Sequence, residues 1–230
     1  MKRIHPYLII ITALTSLIGF SVPVHAMSKP KNPAIADSSI LPTIQYRDFD
    51  SAKSLGRDAW HGLDHVTISA PTLAFSDRWV REYRHEMSDV DEKRIRSKYT
   101  ASLKEVLEKA FTDKGWKVTD QAGPNTLVVQ PSLSDLRIQA PDLSHRPRTK
   151  DFVEHVGSSR LTLTFSAQDR GIIGQLEDHD KTRNWGGLGD LKPTNRVVNL
   201  RDFKFLFKKW AKRAANFTEK MGSSESVSAN

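Results

Sequence analysis

The chain of 230 residues contains no cysteine. That absence excludes a disulfide framework, cysteine-ligated zinc and a thiol nucleophile. It also excludes a lipid-anchored N-terminus, which needs a cysteine directly after a signal cleavage point. Long apolar runs are scarce as well. One uncharged run, Leu8 to Val22, stands out, and it falls short of the roughly 20 residues that cross a bilayer as a helix.

That run has the surroundings of a secretory signal. Lys2 and Arg3 precede it, Pro23 breaks it, and Val24-His25-Ala26 supplies compact residues at a cleavage site. Cleavage after Ala26 is expected, releasing a periplasmic or secreted protein that is not a lipoprotein and has no transmembrane segment. Removing Lys2 and Arg3 lowers the formal charge from +8 to +6. A positive balance of this size suits contact with anionic envelope components, and it also simply aids solubility. Export makes nucleic acid a poor target.

The remaining length suits one domain. Residues 27–45 hold Pro30, Pro33 and Pro42 among Ala, Ser and Lys, and read as a flexible spacer. Residues 46–221 form the expected domain. Residues 222–230 are small and polar, the composition of a disordered tail.

Within the domain, Leu63 to Ala70 alternates apolar and polar residues as a strand ending at Pro71, and the stretch through Trp79 and Tyr83 reads as loop. A helix is expected over about 91–113, because Ile95, Tyr99, Leu103, Val106 and Ala110 make one apolar stripe. Ser88 and Asp91 have capping-box spacing, and Gly115 is a suitable stop. Glu92–Arg96 and Glu105–Lys109 are spaced as i,i+4 ion pairs. Trp116 to Val118 reads as a short strand. In the next strand, alternation through Leu127, Val129, Pro131 and Leu133 changes phase at Leu136, which predicts a bulge or an edge strand.

Arg160 to Gln168 alternates Leu161, Leu163, Phe165 and Ala167 with Thr162, Thr164 and Ser166. Asp169-Arg170-Gly171 then turns it into a hairpin with Ile172 to Glu177. The last element is a helix over about 200–221, opening near Asn199, with Phe203, Leu206, Phe207, Trp210, Ala214, Phe217 and Met221 on one face. The fold class is therefore α+β: a mostly antiparallel sheet of four to five strands packed by two amphipathic helices.

The block Val118-Thr-Asp120, Ala122 to Leu127, Ser132 to Leu136 and Gln139 to Asp142 resembles the bacterial family called domain of unknown function 3313. Agreement continues through Leu161-Thr-Leu163 and Asn195 to Asn199, so the resemblance spans about Tyr46 to Met221. It implies a small exported envelope protein. Many members are lipoproteins, which this chain departs from by lacking the acylated cysteine, and its hairpin turn is shorter. The family supplies no activity and no catalytic residues.

Candidate chemistry is sparse. His61-Gly-Leu-Asp-His65 has zinc-motif spacing, but Gly62 stands where the general base belongs, and a turn with strand entry explains it better. Asp178, His179 and Asp180 gather ligand-type side chains at a strand end. Alternation puts Asp178 and Asp180 on one side and His179 on the other, so a metal would need partners elsewhere, with His155 or Asp142 conceivable. Trp185-Gly-Gly-Leu-Gly189 lacks the Lys-Ser/Thr ending of a phosphate loop. Along the last helix, Arg201, Lys204, Lys208 and Lys212 form a basic stripe opposite the core face. Lys209, Arg213 and Lys220 lie beside it, and Phe205 projects into it.

The expectation from sequence is a non-enzymatic binding or assembly module of the envelope. No catalytic residues, metal or other cofactor is assigned, and the docking candidates are Arg201, Lys204, Phe205, Lys208, Lys209 and Lys212. The alternative is a metal-dependent hydrolase or metal-binding protein using Asp178, His179 and Asp180. An envelope component or a protein docking on the aromatic face of the last helix is the expected partner class.

Overall fold

β-Strand alternation and helical periodicity both resolve into one apolar layer between a sheet and two long helices. The computed structural model describes residues 40–139, 141, 143–144, 151–182 and 192–222. The expected signal segment, most of the expected spacer, the expected tail, Asp142 and the Trp185-Gly-Gly-Leu-Gly189 motif lie outside them.

Among the described residues the strands are β1 (Ser51–Ser54), β2 (His65–Ile68), β3 (Thr72–Phe75), β4 (Lys117–Val118), β5 (Thr126–Ile138), β6 (Asp151–Val153), β7 (Gly157–Ala167), β8 (Gly171–Lys181) and β9 (Lys192–Thr194). The helices are α1 (Asp77–Tyr83), α2 (Asp89–Asp113) and α3 (Arg196–Gly222). Seven strands form one sheet in the order β1-β8-β7-β5-β2-β4, with β3 also on β5, and β6 pairs with β9 separately. The sheet is thus larger than the expected four to five strands, and it is mixed. β1, β8, β7 and β5 are antiparallel neighbours, whereas β2 and β3 run parallel to β5 and β4 runs parallel to β2. The parallel pairs arise because α1 and α2 carry the chain back over the sheet between β3 and β5, a crossover that local sequence does not announce.

The β7–β8 hairpin forms as its pattern dictates. Leu161, Leu163, Phe165 and Ala167 are buried and the intervening residues are half-exposed. The phase change in β5 is a bulge: register shifts between Ser134 and Arg137, where Asp135 takes φ 51°. β5 is nevertheless central, flanked by β7 on one side and β2 and β3 on the other. Pro131 is tolerated there for a geometric reason. Ser69 donates to the carbonyl of Val129, so alternation aims the Pro131 nitrogen at the same side, opposite the break between β2 and β3.

The stretch expected as loop contains α1. Ser76 caps it by accepting from the Trp79 amide at 3.2 Å, and Trp79 stacks on Phe75 at 4.5 Å while donating to the Ile138 carbonyl. Only two turns long, α1 is too short to show a period. The capping box at Ser88 and Asp91 is present, and Lys114 and Gly115 (φ 86°) close α2. Of the expected ion pairs, Glu92–Arg96 forms, whereas Glu105 turns to Lys204 and Lys109 to Asp113.

α3 begins earlier than expected, at Arg196. Asn195 Oδ1 accepts from the amides of Val197 and Val198 at 3.0 and 3.1 Å, so Asn195 and not Asn199 is the cap. Phe203, Phe207, Trp210 and Phe217 are fully buried against the sheet and α2. That aromatic face is spent on the chain's own core, which removes it as a docking face. The start of the chain's fold also precedes Tyr46: Leu41 is buried and Thr43 bridges Lys53 beside β1.

Candidate functional site

α2 and α3 lie side by side and run in the same direction. Tyr99 meets Phe203 edge-to-face at 5.0 Å, Glu105 accepts twice from Lys204 at 2.8 Å, and Lys114 meets Glu219 at 2.6 Å. Between the Glu105–Lys204 and Lys114–Glu219 pairs the surface over the helix seam is hollowed. The gap is a groove of about 420 Å³ lined by Val106, Lys109, Ala110, Asp113, Lys114, Lys208, Lys212 and Ala215. Its cause is local: small alanines at 110 and 215 occur where bulkier side chains would fill the seam. Val106 and Ala215 are buried and make an apolar floor, and the lysines stand along the rim.

The structure divides the expected basic stripe. Lys204 lies on the flank facing α2, not opposite the core, and is held by Glu105. Lys209 pairs with Asp180, and Arg201 Nε lies 3.3 Å from Asp202. Arg213 donates to the Asp48 carbonyl at 3.1 Å and sits 3.7 Å from Asp178. Among the described residues no carboxylate pairs with Lys208 or Lys212, both of which are exposed. Lys208 Nζ sits 5.8 Å from the centroid of the Phe205 ring, which is 42 % exposed. Lys208, Lys212 and Phe205 are therefore the part of the stripe that faces outward.

The acidic alternative is also placed. As alternation requires, Asp178 and Asp180 face the helices and His179 is exposed on the other side. Asp178 Oδ2 accepts from the Trp210 indole at 2.6 Å, and the carboxyl is nearly sealed from solvent. Burial pushes its pKa up. The Trp210 hydrogen bond opposes this, the Asp50 and Asp180 charges reinforce it, and Arg213 opposes it. Asp180 is taken by Lys209, and Asp50 accepts from the His179 amide at 2.9 Å. Among the described residues no three His, Asp or Glu side chains converge as metal ligands. What Asp178 does in this geometry is tie β8 to α3. His61 and His65 lie at a turn, Gly62 having φ 78°, and at a strand entry, with His65 Nδ1 2.6 Å from Asp64.

A second hollow, about 540 Å³, lies between β3 and α2, lined by Pro71, Leu73, Asp89, Glu92, Lys93, Arg96, Ser97 and Thr100. Its two acids face two bases, and Glu92 already holds Arg96, so it offers little charge to a ligand. The α2–α3 groove keeps a positive excess and an apolar floor.

Of this lining the sequence singled out Lys208 and Lys212 alone, as part of a basic stripe; Val106, Lys109, Ala110, Asp113, Lys114 and Ala215 were not read as a site. They read as core stripe and solvated surface, and only the alignment of α2 with α3 joins them to Lys208 and Lys212. No helix among the described residues is long and apolar enough to cross a membrane.

No protein-family model and no curated protein matches the chain. Among solved structures, a PelC dodecamer from Paraburkholderia phytofirmans is similar at 9% identity and TM-score 0.36, covering 70% of this chain and 94% of that one. A neuraminyllactose-binding hemagglutinin homolog from Helicobacter pylori is similar at 14% identity and TM-score 0.34, covering 70% and 87% respectively. A PDZ domain protein from Parabacteroides distasonis is similar at 10% identity and TM-score 0.30, covering 66% and 32%. At these values the likenesses carry no argument about what this chain does.

Proposed function

We propose that the protein is a non-enzymatic binding module of the cell envelope that docks its helical layer on an anionic surface. In this reading residues 1–26 direct export and are removed after Ala26, the mature chain is periplasmic or secreted, and it belongs with the domain of unknown function 3313 proteins it resembles. One observation carries the docking: Lys208 and Lys212 stand exposed, Lys208 beside Phe205, with no carboxylate of the described residues to neutralise them. Cations near an anionic lipid surface contribute about 1 kcal/mol each, and an aromatic ring at the same level adds apolar contact.

The test is cosedimentation of the purified protein with vesicles containing phosphatidylglycerol, in low and high salt. Wild-type protein should bind, and binding should weaken as salt screens the surface. The double variant K208E/K212E should bind at least tenfold more weakly at low salt with its fold intact. Equal binding by this variant refutes the proposal. N-terminal sequencing of the exported protein should begin at Met27.

A further inference from the structure

We infer that the α2–α3 groove accepts the acyl chain of one anionic lipid, whose phosphate lies on Lys208 and Lys212. This rests on the docking surface proposed above and names the ligand of that same site. Three features of the groove point to a lipid and not to a flat electrostatic contact.

The first is its cross-section of chemistry. Half-buried Ala110 is the open part of an apolar floor whose Val106 and Ala215 are sealed from solvent, and the rim carries four lysines, 109, 114, 208 and 212. Asp113 engages Lys109 at 3.0 Å and Glu219 engages Lys114, so the positive excess is that of Lys208 and Lys212. Apolar below and cationic at one edge is the complement of an acyl chain ending in a phosphate. A headgroup alone would leave the floor unused, and a neutral lipid would leave the lysines unpaired.

Length is the second feature. The groove is bounded by the Glu105–Lys204 pair at one end and the Lys114–Glu219 pair at the other. Its lining runs over eight residues' rise of α2 and seven of α3, about 11 Å at 1.5 Å per residue, which takes the greater part of a tail. A lipid tail reaches from its headgroup to the bilayer midplane, about half of the roughly 30 Å hydrocarbon core. The third is volume: 420 Å³ falls within the range of about 300–1,000 Å³ typical of small-molecule sites. Phe205, beside Lys208 on the outer surface, would rest among neighbouring headgroups.

The experiment titrates the purified protein with monomeric lysophosphatidylglycerol, lysophosphatidylcholine and glycerol 3-phosphate, following heat and stoichiometry. Lysophosphatidylglycerol should bind one to one and at least tenfold more tightly than either of the others. Ala110→Phe, which fills the groove and leaves every lysine in place, should weaken that binding at least tenfold. The same variant should still bind phosphatidylglycerol vesicles in a salt-sensitive way, because the outer lysines still meet the surface. Equal affinity for glycerol 3-phosphate, or no binding of lysophosphatidylglycerol, overturns the inference without any variant. A folded Ala110→Phe protein that binds lysophosphatidylglycerol like wild type overturns it as well. So does an acidic amphipathic peptide that occupies the site while the lipid does not. Each of these leaves vesicle binding as the separate readout of the docking surface, which fails if wild-type protein does not bind vesicles or if K208E/K212E binds them as wild type does.

Discussion

The indole of Trp210 donates a 2.6 Å hydrogen bond to the buried carboxyl of Asp178, fastening the middle of α3 to β8. Around that bond Arg213 favours the carboxylate, and the charges of Asp50 and Asp180 oppose it more strongly. With Lys209 on Asp180 and Asn199 on the Gln139 carbonyl, this contact fixes the rotation of the final helix on the sheet. An alternative register would bury the Trp210 N–H without a partner.

Because the Asp178 pKa is raised above its ordinary value of 3.8, its ionisation costs stability in the folded state. Its contribution is fully present below pH 3.8 and is lost as pH rises through the folded value. Asp178→Asn keeps an acceptor for Trp210 and removes the charge. Urea denaturation should therefore show the variant gaining on wild type as pH rises from 4 to 7. A wild-type advantage that grows with pH would show that the carboxylate is net stabilised and refute this account. Asp178→Leu removes the acceptor and should cost about 1–3 kcal/mol.

Asp91 behaves oppositely. It is fully buried at the start of α2, where burial alone would raise its pKa. The Ser144 hydroxyl at 2.6 Å, the Ser88 hydroxyl at 2.8 Å and the amides of both residues override burial and hold it at about 2. Arg94 adds an ion pair at 2.8 Å. A carboxyl lowered from 3.8 to about 2 contributes roughly 2 kcal/mol that is present above pH 3.8 and lost as pH falls toward 2. Asp91→Asn should flatten the acid side of the stability profile. An unchanged acid transition would mean that the carboxylate is not what secures Ser144 to α2.

Two glycines mark close approaches. A Cβ on Gly157 would come within 2.7 Å of Phe203 and also strike the Arg137 carbonyl, and one on Gly174 would sit 2.6 Å from Trp60. Gly157→Ala meets backbone as well as a packed ring, so a loss of about 3 kcal/mol or more in chemical denaturation is expected. Gly174→Ala should lose about 1–3 kcal/mol, as Trp60 is fixed by Phe165, Phe217 and its bond to Ser54. Gly56→Ala has open space and should change stability by less than about 0.5 kcal/mol.

At the start of α3, Asn195→Ala should cost about 1 kcal/mol, since two amides lose their acceptor. Asn195→Asp should retain most of that stability, because a carboxylate also suits the positive end of the helix. Thermal unfolding distinguishes the two variants. Equal losses would show that Asn195 does not act through its side-chain oxygen.

Local patterns alone determined the β7–β8 hairpin, the capping box of α2, the split of Asp178 from His179 and most of the core-facing stripe of each long helix, though not Leu107, Phe111, Ala211 and Ala215. In each case the information lies within a few residues, as a period of two, a period of 3.6 or a cap. Tertiary structure alone decided the strand order, the parallel pairing of β2 and β3 with β5, and the existence of α1. Those depend on which distant segments bury one another, and Trp79 is helical because Phe75 and the Ile138 carbonyl receive it. The candidate site divides along the same line. The basic residues of α3 were legible from their spacing, yet which of its lysines remain open was set by Glu105 and Asp180 reaching in from elsewhere. The groove exists because Ala110 and Ala215, a hundred residues apart in the chain, meet across one seam, and no single segment carries that information.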